Sequence, residues 1–126
     1  MPLVRIDLPE SIVPERRTVI ADVVYETLVD TLNVPVHDRF QVVTPHASGD
    51  LLIDSTYLGI ERSDEAFIID ITLNAGRSVA AKQHFYAALV RRLSDRAQLR
   101  PQDVFVSLTE VVKENWSFGD GEAQYA

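Results

Sequence analysis

The chain carries one pattern twice, and that doubling narrows its possible folds more than any other feature. Ile6-Asp7-Leu8, Tyr25, Leu28-Val29, Leu32, then Asp38-Arg39-Phe40-Gln41-Val42 and Thr44 make up the first copy. The second runs Ile69-Asp70-Ile71, Tyr86, Leu89-Val90, Leu93, then Asp103-Val104-Phe105-Val106-Ser107 and Thr109. The offset is 63 residues in the first block, 61 in the second and 65 in the third, a drift that small changes in loop length produce. At 126 residues the chain has room for one ordinary core, so the halves 1–60 and 61–126 are expected to form a single domain.

Each half reads as strand, helix, strand. Val4, Ile6 and Leu8 alternate on one face of a half-buried strand from Leu3 to Leu8. Pro14 suits the first turn of a helix, where its missing N–H is no loss. Ile20, Val23, Val24, Thr27, Leu28 and Leu32 then recur at helical spacing until Asn33-Val34-Pro35 ends the run. A strand is expected over Phe40 to Thr44, and a hairpin or small strand pair around Leu51-Leu52-Ile53, between Gly49 and Gly59. In the second half, the apolar run Ala66 to Leu73 predicts a central strand covered on both faces. Ser78 is placed to cap a helix whose inner stripe is Val79, Lys82, Tyr86, Leu89, Val90 and Leu93, and Val104 to Val111 is the last strand.

Helix-length crossovers imply parallel pairing within each half. The expected fold is therefore α+β, an α/β two-layer arrangement of tandem β-α-β repeats. It has a four-stranded, mostly parallel sheet with two helices on one face. The other face needs a cover, and a further copy of the chain is the natural candidate.

Charge and composition remove several classes of function. Twelve basic against nineteen acidic residues give a net charge of −7, which opposes nucleic acid and anionic membrane surfaces as partners. No apolar run is long enough to span a bilayer, and no basic-then-apolar leader opens the chain. With no cysteines, disulfides and thiolate metal sites are absent, so the expected location is the cytoplasm. His37, His46 and His84 lack metal-ligand spacing, His84 falls on the polar side of the second helix, and His46 is expected in a loop near the pocket. Gly76 stands without the partner glycines of a phosphate or dinucleotide loop, so no cofactor is expected.

Four segments carry a family resemblance across essentially the whole chain. They are Pro2-Leu3-Val4-Arg5-Ile6-Asp7-Leu8, Val36-His37-Asp38-Arg39-Phe40-Gln41, Asn74-Ala75-Gly76-Arg77-Ser78 and Asn115-Trp116-Ser117-Phe118-Gly119-Asp120-Gly121. On these the chain resembles the tautomerase superfamily, in its malonate semialdehyde decarboxylase-like branch. The resemblance implies a homotrimer without metal or cofactor, acting on a small carboxylate. It implies a catalytic Pro2, whose secondary amine is freed when Met1 is removed. An α-amino group ordinarily titrates near 7.7–8.0, and burial lowers while nearby anions raise that value, so such an amine serves as acid or base near neutrality.

The resemblance further implies that Arg77 and Asp38 join Pro2 in catalysis. Arg77, between Gly76 and a helix start, holds the substrate carboxylate in paired hydrogen bonds. The branch's usual pattern has two arginines in this loop; here Asn74 and Ala75 take the earlier places, with Asn74 as an amide partner to Arg77. Asp38 activates water or orients the carbonyl, or else caps the turn after Pro35 or pairs with Arg39; Asp103 is its counterpart in the other half. Trp116, Phe118 and Tyr125 form an apolar wall around the amine or seal a subunit interface. The implied activity is tautomerisation or decarboxylation of a small 2- or 3-oxo acid. The alternatives are haloacrylate dehalogenation or hydration, and a non-catalytic trimeric binding or scaffold protein.

Overall fold

The computed structural model describes all 126 residues. The two halves fold as β1 (Pro2–Pro9), α1 (Pro14–Leu32) and β2 (Gln41–His46), then β3 (Phe67–Asn74), α2 (Val79–Ala97) and β4 (Val104–Val111). One sheet runs in the order β2-β1-β3-β4. Each half contributes a parallel pair, β1 with β2 and β3 with β4, and the halves join antiparallel through β1 and β3. In that join Pro2 sits opposite Leu73 and Ile6 opposite Ile69. The antiparallel seam relates the halves by an approximate two-fold axis, so each strand end and strand–helix junction at one end of the sheet has a counterpart at the other.

The helices share the core with one face of the sheet. Val4, Ile6 and Leu8 of β1 and Phe67, Ile69, Ile71 and Leu73 of β3 are all fully or almost fully buried. They meet Ile20, Val23, Val24, Leu28 and Leu32 of α1 and Phe85, Leu89 and Leu93 of α2 in one cluster. Each such side chain contributes about 1.5–3 kcal/mol by leaving water. Thr27, also buried, spends its hydroxyl on the Val23 carbonyl at 2.6 Å. Both helices end alike: Asn33 and Gln98 adopt left-handed backbone, 65 residues apart, at φ 55° and 54°. Pro14 opens α1, and the Ser78 hydroxyl caps α2 by accepting from the Ala81 N–H at 3.1 Å.

Four local expectations need correction. Residues 51–53 form no strand; Leu52 is 86% exposed, and the segment continues irregularly to a short 3-10 turn, Tyr57–Gly59, started by Asp54 accepting from the Thr56 and Tyr57 N–H groups. The apolar residues there have no neighbouring ladder to join. On α2 the buried stripe is Phe85, Ala88, Leu89, Leu93 and Ala97, while Tyr86 and Val90 are half-buried and Val79 is exposed. The Phe85-Leu89-Leu93-Ala97 ridge steps by four residues and turns Tyr86 towards the edge. β3 is covered on one face only, for Ile68, Asp70, Thr72 and Asn74 are half-buried and alternate with the core residues. β2 starts at Gln41; Phe40 meets β1 only through its carbonyl, which accepts the Val4 N–H at 2.9 Å, and its side chain is left exposed.

Candidate active site

Topology brings four separate segments to one end of the sheet. β1 begins there at Pro2, and β2, parallel to it, also begins there, just after Asp38. β3 runs the opposite way and ends there at Asn74, followed by Gly76 and Arg77. β4 ends beside it, Val111 opposite Asn74, and releases the tail that carries Trp116, Phe118 and Tyr125. Ala75 N–H donates to the Val111 carbonyl at 2.9 Å and closes the end of the sheet.

At the centre is the chain's amino group. Pro2 is buried as the first residue of β1, and its nitrogen lies in the peptide bond to Met1. Met1 is itself 8% exposed, and its α-amine stands 3.7 Å from Asp38 Oδ2. Burial pulls this amine below its ordinary pKa; Asp38 opposes that pull and the Arg77 guanidinium adds to it.

Asp38 is held in an unusual state. Its side chain is 11% exposed, and Oδ1 is buried with no hydrogen-bond partner. Buried polar atoms are nearly always paired, so this oxygen is an exception within the chain. The turn that delivers it has His37 at φ 73°, with the His37 N–H donating to the Tyr25 hydroxyl at 2.9 Å. Arg39 is not its partner. That guanidinium pairs with Asp22 at 2.8 Å, donates to Gln41 Oε1 and lies over the Tyr25 ring.

Asp103, the counterpart in the second half, lives differently. It is 1% exposed, and both oxygens are satisfied, by the Ser63 N–H at 2.7 Å and the Ser63 hydroxyl at 2.5 Å. The repeat thus aims a nitrogen at each aspartate: a terminal amine at Asp38, a main-chain amide at Asp103.

Arg77 is anchored by backbone. Its Nε donates to the Leu32 carbonyl and Nη1 to the Asn74 carbonyl, each at 3.0 Å, and it has no carboxylate partner. Two donors fix the plane of the guanidinium and leave Nη2 without a protein acceptor. Gly76, at φ 123°, makes the turn that a Cβ would strain, and its N–H goes to Glu110, which Lys82 also holds at 2.5 Å. Asn74 does not face Arg77 with its amide: its Oδ1 accepts the Trp116 indole N–H at 2.7 Å.

The aromatic residues form a connected wall. Trp116 stacks on Phe118 with centroids 5.6 Å apart, and Phe118 meets the edge of Tyr125 at 5.0 Å. Phe40 joins from the other side at 6.4 Å from Phe118. Gln124 clips the turn shut, accepting from the Phe118 N–H and donating to the Gly119 carbonyl. Sequence reasoning missed Phe40 and Gln124, since nothing in the spacing signals that the tail folds back onto the start of β2.

His46 belongs to the opposite end of the sheet. It is the last residue of β2, beside Pro9, and bonds Asp7 at 2.7 Å, so it is neither in a loop nor near this site. His84 is exposed on α2. No group of three His, Asp or Glu side chains is arranged to hold a metal ion. No helix is long and apolar enough to cross a membrane.

A buried N-terminal amine, a carboxylate and a backbone-anchored arginine thus share one end of a two-repeat β-α-β fold with a cluster of aromatic rings. The family profile described as "Tautomerase enzyme" matches residues 38–119. The chain is 34% identical to "Probable tautomerase YrdN" of Bacillus subtilis (strain 168) over 125 residues, 99% of this chain and 96% of the relative. The FG41 malonate semialdehyde decarboxylase, solved inhibited by 3-bromopropiolate, is 40% identical and superposes with a TM-score of 0.91 over 98% of this chain and 93% of its own. A second malonate semialdehyde decarboxylase, solved to explain decarboxylase and hydratase activities, is 31% identical with a TM-score of 0.90 over 98% and 95%. The chain belongs to the tautomerase family, and it is an enzyme of that superfamily with malonate semialdehyde decarboxylases among its structural neighbours.

Proposed function

We propose that the protein is a cofactor-independent tautomerase or decarboxylase for a small 2- or 3-oxo acid, working through Pro2 once Met1 has been removed. The reading rests on one observation above all: the α-amine of Met1, one residue before Pro2, is desolvated 3.7 Å from Asp38 Oδ2, and the other oxygen of that carboxylate, Oδ1, is buried without a partner.

Arg77 Nη2 takes the substrate carboxylate, and the wall of Trp116, Phe118 and Tyr125 excludes water, which strengthens that ion pair. For tautomerisation, neutral Pro2 removes a proton from the carbon beside the carbonyl and returns it at the other end of the enol. For decarboxylation of a 3-oxo acid, protonated Pro2 donates to the carbonyl oxygen. The bond to the carboxylate breaks, carbon dioxide leaves, and its electron pair becomes the enol double bond. Asp38 stabilises the ammonium form of Pro2 and accepts a proton from water when water is the nucleophile. That last role makes hydration of an activated double bond, including dehalogenation of a haloacrylate, a neighbouring reaction on the same parts. It agrees with the two activities of the 31% identical decarboxylase.

The assembly is proposed to be a homo-oligomer, a trimer by family resemblance. The half-buried face of β3, and the exposed Val42 and Phe105 on the flanking strands, leave one side of the sheet without a cover within the chain. The partner is therefore a further copy and the ligand a small carboxylate, in a soluble cytoplasmic protein.

The test is turnover of phenylenolpyruvate, 2-hydroxymuconate and malonate semialdehyde by wild type and Pro2→Ala, with intact mass read first. Wild type lacking Met1 should turn over at least one substrate, and Pro2→Ala should lose on the order of 100-fold or more in kcat/KM. Equal rates on every substrate turned over would remove the amine from the mechanism. A protein that keeps Met1 and turns over nothing would be the scaffold instead.

A further inference from the structure

The approximate two-fold axis of the sheet has a consequence at the end remote from Pro2. The elements that build the active site have counterparts there: the start of β3, the Asp103 turn, the junction of β1 with α1, and the segment after β2. Between them lies a cavity of ≈ 870 Å³ lined by Arg17, Arg62, His46, Ser48, Ser63, Glu10 and Asp64, among others.

The arginines of the two sites are mounted alike. Arg77 is held by two main-chain carbonyls, Leu32 and Asn74. Arg17 is held by two as well: Nε donates to the Ile12 carbonyl at 2.7 Å and Nη2 to the Glu10 carbonyl at 2.8 Å. Arg62 sends Nη1 to the carbonyls of Asp54, Tyr57 and Ile60. Neither Arg17 nor Arg62 forms a salt bridge, although the chain carries an excess of seven negative charges that offers partners freely. Arg17 and Arg62 thus line the cavity with their guanidinium groups held by backbone carbonyls, and Arg17 Nη1 and Arg62 Nη2 are left without an acceptor within the chain.

What the second end lacks is the amine. Glu65 occupies the position matching Pro2 and Asp64 the position matching Met1, both within the chain, and the nitrogen that reaches Asp103 is the main-chain amide of Ser63. We infer that this cavity is a second, non-catalytic binding site for a small hydroxy- or amino-carboxylic acid, its carboxylate on Arg17 and Arg62. Glu10 and Asp64 on the same lining repel a bare anion and accept from hydroxyl or ammonium donors, which selects acids that also carry such a donor. The site is inferred to bind without the proposed Pro2 chemistry, because it holds no N-terminal amine and its one imidazole, His46, is paired with Asp7.

The test titrates the whole protein with L-malate and reads backbone amide shifts by NMR. Saturable shifts are expected at Ala47, Ser48, Gly49 and Asp64, unchanged in Arg77→Met. Arg17→Met should weaken them about tenfold, the loss of one charge-assisted contact. Since Arg17 also braces the turn at Glu10 and Ile12, Ser48→Glu is the second variant: it places a carboxylate in the cavity, leaves both arginines mounted, and should weaken binding at least as much. No saturable shift at about 10 mM L-malate, or shifts that Ser48→Glu leaves intact, overturns the inference. So does a crystal structure in which a neighbouring subunit fills the cavity. None of these results depends on whether Pro2 is catalytic.

Discussion

The Asn74 carboxamide oxygen and the Trp116 indole N–H meet at 2.7 Å, while the same residue's main-chain carbonyl receives Arg77 Nη1 at 3.0 Å. One residue thus fixes both the Arg77 guanidinium and the first ring of the wall. Replacing Asn74 by Leu keeps the carbonyl but strands the indole donor, a loss of roughly 1–3 kcal/mol where the group stays buried. Trp116 is the chain's only tryptophan, so its emission reports the change directly. Asn74→Leu should shift that emission and lower kcat/KM about tenfold, whereas Asn74→Asp, which keeps an acceptor, should retain most of both. An unaltered emission spectrum in Asn74→Leu would contradict the coupling.

The charge balance around the amine makes a signed prediction for Asp38→Asn. Asp38 raises the pKa of the Met1 amine against burial and Arg77, which lower it, and the Pro2 amine freed by loss of Met1, one residue further along, is expected to answer to the same three influences. Removing the carboxylate removes the only raising influence named there, so the amine should titrate at lower pH. The limb of the kcat/KM profile that reports this amine then moves towards acid, whether the reaction uses the protonated or the neutral form. A limb that stays in place or moves towards alkali would show that Asp38 does not sense the amine.

Asp103 should answer to stability rather than to activity. Its two oxygens satisfy the Ser63 N–H and hydroxyl in a fully enclosed position. Asp103→Ala abandons both donors, and a loss of roughly 2–4 kcal/mol is expected from two unmet hydrogen bonds. Urea unfolding checks this, and kcat/KM of the folded fraction should stay close to wild type. The contrast with Asp38→Asn, which abandons no donor comparable to those of Ser63 and should cost less stability, separates two aspartates that the repeat makes look alike.

Much of the fold was legible because the repeat and the burial pattern are properties of the chain itself. Ile20, Val23, Val24, Thr27, Leu28 and Leu32 are all buried as their spacing implied. On α2 the spacing put Tyr86 on the inner stripe, and the sheet beneath turns Phe85 inward instead. Leu51 to Ile53 looked like a strand because local pattern cannot reveal that no neighbouring ladder is available. At the site, Asp38, Asn74, Arg77 and the aromatic tail were legible as segments, by resemblance. What spacing could not express was their division of labour: the Asn74 amide serving Trp116, Arg39 engaged by Asp22, and Phe40 meeting Phe118. Each of these depends on where distant segments return to one another.

The pair Arg16–Glu65 gives the fold a pH dependence of definite sign. Arg16 at the start of α1 grips both Glu65 oxygens, at 2.7 and 3.1 Å, and also donates to the Ala97 carbonyl at the end of α2 at 3.1 Å. Arg16 holds the Glu65 carboxyl below its ordinary value of 4.5. A depressed carboxylate contributes stability that is complete above the unfolded-state pKa and is lost as pH falls through the folded-state one. Wild type should therefore be more stable than Glu65→Gln at pH 7, by no more than about 1 kcal/mol, since the Glu65 side chain is 39% exposed and solvent screens the pair. The gap should close well below pH 4.5, where both proteins carry a neutral side chain at this position. Glu110, likewise depressed by Lys82, titrates in both proteins and cancels from the difference. Urea midpoints for the two proteins at pH 7 and pH 3 decide it, and a gap of equal size at both would mean that packing, not charge, ties α1 to the start of β3.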